Sequence, residues 1–511
     1  MKMQFAPAQR LRLLVVCALW MVSFSAQAFC GFFAGKADAT LFNEASQVIL
    51  ARDGNRTVIS MLNDYRGPLA DFALVVPVPQ VLEKGQVRIG DKRLFDRLDA
   101  YSAPRVAQYF DPNPCPLERW RFLARADGQG RDQAMAFPSA AMSKAERAQA
   151  LGVTVEAAYT VGEYDIVMLS ARQSSGLQTW LTENGYRMPA GASAALKPYV
   201  EQDMKFFVAK VNLSEQARTG VQFLRPLQFA YESEKFMLPI RLGMINADPN
   251  KSQDLIAYVL SREGRVESSN YRTLKLPTNQ NVPPGITRDF NSFYKALFDH
   301  QALTESLRVV FTEYFWDMAW CDPCAADPLT RQELQQAGVF WLEDASADGT
   351  AEAMRGRPAL PYGAQNALLT RLHVRYTPTT FPEDLMFFQT RDRQNWQTRY
   401  VVQQPFAGSL QQCRAQAAAS SCQTQCQSQA ACLQQCQQGQ EAAIEQARRY
   451  YDIALPQRQQ QELQNLSRLT GWSLAAAARF AQIEPRTEVA QRTWWQKLFG
   501  IGADTERPGK P

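Results

Sequence analysis

Gln47-Val48-Ile49-Leu50-Ala51-Arg52-Asp53-Gly54-Asn55-Arg56-Thr57-Val58-Ile59-Ser60-Met61 is the stretch that decides the fold class. Two short apolar runs, residues 47–51 and 57–61, flank a polar centre whose Asp-Gly pair supplies the positive φ angles that a tight hairpin requires. The chain therefore opens on antiparallel β structure. Phe72-Ala73-Leu74-Val75-Val76-Pro77-Val78-Pro79 follows and is apolar almost throughout, which predicts a strand buried on both faces and closed by its prolines.

Working outward, helices are expected at 94–101 and at 104–110, the second with Pro104 in its first turn, and Asp111-Pro112-Asn113-Pro114 stops that run ahead of Cys115. Further helices are expected at 144–151, 175–184 and 192–202, with strands at 164–170 and 205–213. An amphipathic helix at 287–300 carries Phe290, Phe293, Tyr294 and Leu297 on one side. A strand at 307–316, a helix at 329–337 ending on Gly338, and strands at 369–376 and 385–389 complete this part. One internal echo stands out. Met61-Leu62-Asn63-Asp64 and then Asp71 to Val76 recur as Met244-Ile245-Asn246-Ala247 and then Asp254 to Val259, with the same offset from Asn to Asp. A turn follows each, at 83–87 and at 262–266, so the echo is either a chance likeness of two hairpins or a duplication that gives two related antiparallel units. The expected class is α+β with an antiparallel β core.

Residues 1–28 read as a secretory signal: Lys2, Arg10 and Arg12 form a basic start, 13–24 an apolar run, and Ala26-Gln27-Ala28 a small-residue cleavage site. The apolar run is short of the about 20 residues a membrane helix needs, and no later segment approaches that length, so the mature chain is expected to lack a transmembrane segment. With the signal removed the formal net charge falls from +5 to +2. No basic run or stripe remains, which argues against nucleic acid as a partner. Ten cysteines, nine of them outside the signal, fit a compartment where disulfides persist.

Composition changes near Pro405. From 403 to 464 roughly a third of the residues are Gln, interspersed with five cysteines, and strand signals cease. Cys422 and Cys426, then Cys432 and Cys436, are i,i+4 pairs, so two antiparallel turns of helix can be bridged as Cys422 to Cys436 and Cys426 to Cys432. The tail is thus expected to be an all-helical, disulfide-stapled hairpin, with the staple replacing a core that Gln-rich helices cannot build. A zinc site is the competing reading, but the spacing is x3 and not x2, and no metal is expected. By elimination Cys30 is set against Cys115, leaving Cys413 over. Trp494 to Phe499 reads as a mobile end or as a membrane or partner contact. The linear division is 1–28 signal, 29–215 first α+β unit, 216–404 second α+β unit, and 405–511 tail.

Several of these stretches are similar to one bacterial family. Cys30-Gly31-Phe32-Phe33, Leu41-Phe42-Asn43, Phe72 to Pro79, Asp99-Ala100-Tyr101-Ser102-Ala103-Pro104, Trp320 to Cys324, and Phe381-Pro382-Glu383-Asp384-Leu385 keep their order over about 29–404. In this the chain resembles the bacterial domain-of-unknown-function family numbered 2330. The resemblance implies an exported bacterial protein and carries over no catalytic residue.

Chemistry narrows to Trp320-Cys321-Asp322-Pro323-Cys324. Its strand-fed CxxC looks like a thioredoxin approach, with Cys321 as nucleophile, Cys324 as resolving thiol, and Thr377-Pro378 as the proline held beside the disulfide. The competing reading is a local Cys321 to Cys324 disulfide that locks a turn, and it is favoured, because the helix starts near Asp327-Pro328 and not at Cys321. His300 and His373 are the two histidines of the chain and are expected at the surface or as caps, with Glu383-Asp384 solvated or capping. No cofactor is expected. The sequence thus points to an exported periplasmic or cell-surface protein, a non-enzymatic binding or envelope-assembly module with an unknown protein or envelope component as partner. The alternative is a thiol-disulfide oxidoreductase.

Overall fold

The computed structural model describes residues 32–35, 42–66, 72–115, 152–184, 191–219, 224–246, 252–319, 322, 327–344, 366–419, 422–426 and 429–483. Residues 1–28, Cys30, the helix expected at 144–151, Cys321, Cys324 and the stretch 494–499 lie outside them. The described residues form two compact units, one drawn from within 1–105, 127–278 and 301–399, the other from within 106–126, 279–300 and 400–511. Strands from both sides of residue 215 share one sheet, so the first unit runs across the boundary expected there.

In the first unit the opening hairpin pairs strands Phe42–Asp53 and Arg56–Arg66 antiparallel around Gly54, whose φ is +55°. It lies inside a nine-stranded sheet. Strand Gln253–Ser261 runs parallel to Phe42–Asp53, followed outward by the antiparallel strands Leu368–Tyr376 and Val309–Asp317. A five-stranded antiparallel sheet takes the order Phe32–Gly35, Phe72–Val78, Lys205–Val211, Tyr164–Ala171, Val153–Val161. The two sheets face each other across one core, to which Val48, Leu50 and Val374 contribute from the first and Leu74, Val76 and Phe207 from the second. Helices Ser174–Glu183 and Ala192–Glu201 cover the far face of the smaller sheet, and helices Lys92–Ser102 and Arg331–Gln336 that of the larger. Sheets buried on both faces need apolar residues without alternation. That requirement explains the continuous runs 48–51 and 73–76.

The fold is α+β, with parallel pairings mixed into the antiparallel ones. Two expectations need correction. The echoing stretches do not form the same structure: Met61 lies in strand Arg56–Arg66, whereas Gly243–Asn246 is a 3-10 turn, and Phe72–Val78 and Gln253–Ser261 belong to different sheets. Residues 105–110 form a strand and not a helix, because Val106, Tyr109 and Phe110 suit a pleated ribbon and a partner strand, Arg399–Gln404, is at hand.

The turn after strand Gln253–Ser261 is closed by backbone bonds from Arg265 N to the Asp392 carbonyl at 2.9 Å and from Thr390 N to the Arg265 carbonyl at 2.8 Å. A Cβ on Gly264 would sit 2.1 Å from the Thr390 carbonyl oxygen. Gly264→Ala should therefore cost about 1–3 kcal/mol by overpacking, read as a lower urea midpoint at unchanged slope; an unchanged midpoint would show that this turn yields freely.

The second unit is built on a three-stranded sheet of Gln280–Asn281, Arg399–Gln404 and Arg105–Phe110. Its tail is helical: Leu410–Ala419, Cys422–Cys426, Ala430–Arg448, the π turn Arg449–Ala454, Leu455–Thr470 and Leu474–Ala481. Pro456 accounts for the π turn, since its ring offers no N–H to the carbonyl four residues back and the ladder widens by one residue. Disulfides join Cys422 to Cys436 and Cys426 to Cys432, across facing helices. A third joins Cys115 to Cys413. This corrects the assignment of Cys115 to Cys30 and of Cys413 as the odd thiol: the fold returns the end of strand Arg105–Phe110 to the first tail helix across 298 residues, a closure that spacing cannot reveal.

Candidate functional site: a string of paired charges on the larger sheet

Strand Val309–Asp317 leads towards Cys321, and it carries a bulge. Thr312 pairs with Leu372 and Tyr314 with Arg371, so Glu313 is the extra residue. Bulges re-aim side chains, and here the Glu313 side chain is fully buried. Arg371 Nε donates to its Oε2 at 2.5 Å, and His373 Nδ1 lies 2.5 Å from its Oε1. The string continues both ways. Arg371 Nη1 donates to Asp99 Oδ1 at 2.7 Å, the Tyr258 hydroxyl donates to the same oxygen at 3.1 Å, and the guanidinium stands 5.3 Å over the Tyr258 ring. On the other side His373 Nε2 is 3.8 Å from Asp254 Oδ1, and Arg375 binds the Asp254 carboxylate through two bonds of 2.7 Å.

Alternation along strand Leu368–Tyr376 produces this line: Arg371, His373 and Arg375 share one face, while Leu372, Val374 and Tyr376 fill the core between the sheets. Burial alone would lower the Arg371 pKa, but Tyr258, Glu313 and Asp99 outweigh it and the group is held above its ordinary range. Burial pushes the Tyr258 phenol well up, so it stays a donor. Desolvating a carboxylate costs several kcal/mol. Two short charge-assisted bonds offset that cost only while both partners are present.

The next residue ties the string to Asp322. Tyr314 donates its hydroxyl to Asp322 Oδ2 at 3.1 Å, packs edge-on to Tyr101 with ring centroids 5.7 Å apart, and lies under Arg105 at 5.9 Å. Burial, then Tyr101 and Asp322, push the Tyr314 phenol far up. Asp322, between the two cysteines, is only 4% exposed. Two sequence stretches therefore meet here: Asp99 and Tyr101 from helix Lys92–Ser102, and Asp322 between the two cysteines.

Other expected site residues fall as follows. Strand Leu368–Tyr376 runs antiparallel to Val309–Asp317 with Asp317 opposite Leu368, and Thr377-Pro378 follows its other end. The helix after Asp322 begins at Arg331, capped by Thr330, whose hydroxyl accepts from the Glu333 amide. His373 is buried and not a surface or capping residue, and Asp384 is likewise buried and not solvated. Asp384 accepts from Tyr199 Oη at 2.7 Å and from the amides of Ile240 and Arg241 at 3.0 and 3.1 Å; burial pushes its pKa up against these bonds. Among the described residues no cluster of His, Cys, Asp and Glu is grouped as a metal site.

A cleft of about 280 Å³ opens elsewhere on this unit, with Pro77, Met204, Tyr231, Met237 and Pro239 among its walls and Ser233 and Glu234 between them. Lys235 Nζ reaches Gln202 Oε1 at 2.8 Å at its rim. A second, more open depression lies around Arg272, Arg308 and Thr380. None of the buried string lines either one.

Fold and site together define a class: a disulfide-bearing α+β protein whose larger unit packs two sheets between helices and carries a string of paired charges from Asp99 to Arg375. The chain belongs to the bacterial family described as "Uncharacterized protein conserved in bacteria (DUF2330)", which matches residues 24–388. No curated protein matches the chain. No solved structure matches it either. Among the described residues no helix is long and apolar enough to cross a membrane.

Proposed function

We propose that this is an exported protein of the bacterial periplasm or cell surface that works by binding an envelope component, not by turning over a substrate. The observation that carries this reading is a contrast between two places. The constellation of paired charges described above, Glu313 with His373 and Arg371, is enclosed in the sheet, whereas the open cleft has Pro, Met and Tyr walls interleaved with Gln202, Ser233, Glu234 and Lys235, and neither His nor Cys in its lining. Apolar walls interleaved with polar groups suit recognition, and methionines let such a wall adapt to its ligand. Three disulfides among the described residues and the signal-like residues 1–28 support export.

The test has two arms. Expressed with its N-terminus intact, the chain should be recovered outside the cytoplasm starting at Phe29. Purified protein should reduce insulin no faster than a Cys321→Ser variant, and it should take up an apolar fluorescent dye that a Met237→Lys variant takes up several-fold more weakly. An insulin rate that the serine variant loses would replace binding by thiol–disulfide exchange; retention in the cytoplasm would remove export.

A further inference from the structure

In the second unit two carboxylates compete for one guanidinium. Strand Arg105–Phe110 delivers Asp111 to the tail, where Arg458 of helix Leu455–Thr470 donates Nη1 and Nη2 to its two oxygens at 2.9 and 2.8 Å. Gln403 Nε2 adds a bond of 2.9 Å, and the Tyr450 hydroxyl, brought into reach by the π turn, adds another. The fork of Arg458 is thereby committed to Asp111. One helical turn further on lies Glu462, only 1% exposed. Its Oε1 stands 3.4 Å from Arg458 Nε, and neither atom has a hydrogen-bond partner. A buried carboxylate left with this poor share of a cation is unfavourable when ionised and tolerable when neutral.

We propose that Asp111, Arg458 and Glu462 form a pH-responsive latch on the helical tail, closed in acidic surroundings and loosened towards neutral pH. Geometry sets which carboxylate gives way: Asp111 holds four hydrogen bonds from side chains, Glu462 none at Oε1. The titration agrees. Burial, only partly offset by Arg458 and reinforced by Asp111, pushes Glu462 up to about 7, whereas the bonds from Arg458, Tyr450 and Gln403 outweigh burial and hold Asp111 below the usual carboxylate range.

The direction follows by linkage. Glu462 has an ordinary value of 4.5, so between about 4.5 and about 7 the closed tail holds a proton that the opened tail has released. Closure is strongest below that window, weakens as pH rises through it, and is level above it. Asp111 acts in the opposite sense but loses its contribution only as pH falls below the window, and Tyr450, raised by burial and by Asp111, titrates above it.

Each pKa unit is tenfold in the linked equilibrium. The opening equilibrium of helix Leu455–Thr470 should rise on the order of a hundredfold between pH 4.5 and pH 8. Hydrogen exchange of the full-length, oxidised protein, corrected for the intrinsic pH dependence of exchange, reads this directly. Glu462→Gln mimics the neutral acid and should give acid-like protection at every pH. Asp111→Asn releases Arg458 to Glu462 and should move the pH slope downwards by a unit or more. A wild-type slope retained in Glu462→Gln, a flat wild-type profile, or an unmoved slope in Asp111→Asn would each overturn the latch.

Discussion

Replacing Glu313 by Ala is expected to destabilise the protein by about 3–5 kcal/mol, because it strands two buried partners at once. Arg371 would keep Asp99 but lose the bond to Nε, and His373 would lose the 2.5 Å contact that fixes its ring. Native stabilities are typically about 5–15 kcal/mol, so a loss of this size should be plain in a urea titration followed by tryptophan fluorescence. Glu313→Gln keeps the shape but not the charge and should cost less than Ala. Adding Arg371→Met to Glu313→Ala should recover part of the loss, because the pair is coupled and the double variant no longer buries an uncompensated cation. If the single variant costs under about 1 kcal/mol, or the double variant's cost is the sum of the two, the string does not act as a unit.

The same residues show where sequence reading stops. The opening hairpin is legible because its turn is local: Gly54 takes the positive φ, and Asp53 pairs with Arg56. The layering is not legible, because a strand with apolar residues on both faces, such as 48–51, says nothing of which layer lies on which side. Residues 104–110 misled because proline at the start of a run is compatible with either element, and a strand 290 residues further on decided the matter. The charge string left one trace in the sequence, the alternation of Arg371, His373 and Arg375 in an otherwise apolar strand. Alternation normally marks a solvated face. Here Asp99, Asp254 and Glu313, from three other elements, convert that face into an interior, and only pairing in space reveals it.

Removing the Cys115–Cys413 disulfide with a double substitution to Ala is the second large effect, expected at about 2–5 kcal/mol and confined to the tail-bearing unit. In the chain-entropy picture a crosslink restrains the unfolded chain more the longer the loop it closes. Cys115 and Cys413 are separated by 298 residues, against 14 for Cys422–Cys436 and 6 for Cys426–Cys432. The long closure also holds packing that the short ones do not: both sulfurs are nearly fully buried, in a small cluster with Ala443 and Ala447 of helix Ala430–Arg448. Alanine at both positions avoids a free thiol and a buried hydroxyl, so the loss reports the crosslink and its contacts. Hydrogen exchange should then show peptides from Leu410–Ala419 and Ala430–Arg448 losing protection, while strands Gln253–Ser261 and Leu368–Tyr376 of the other unit keep theirs. A non-reducing peptide map of the native protein is the companion measurement. It should yield Cys115 linked to Cys413; recovery of Cys115 linked to Cys30 would dissolve the tether, and equal protection in both proteins would show that the helices hold the tail without it.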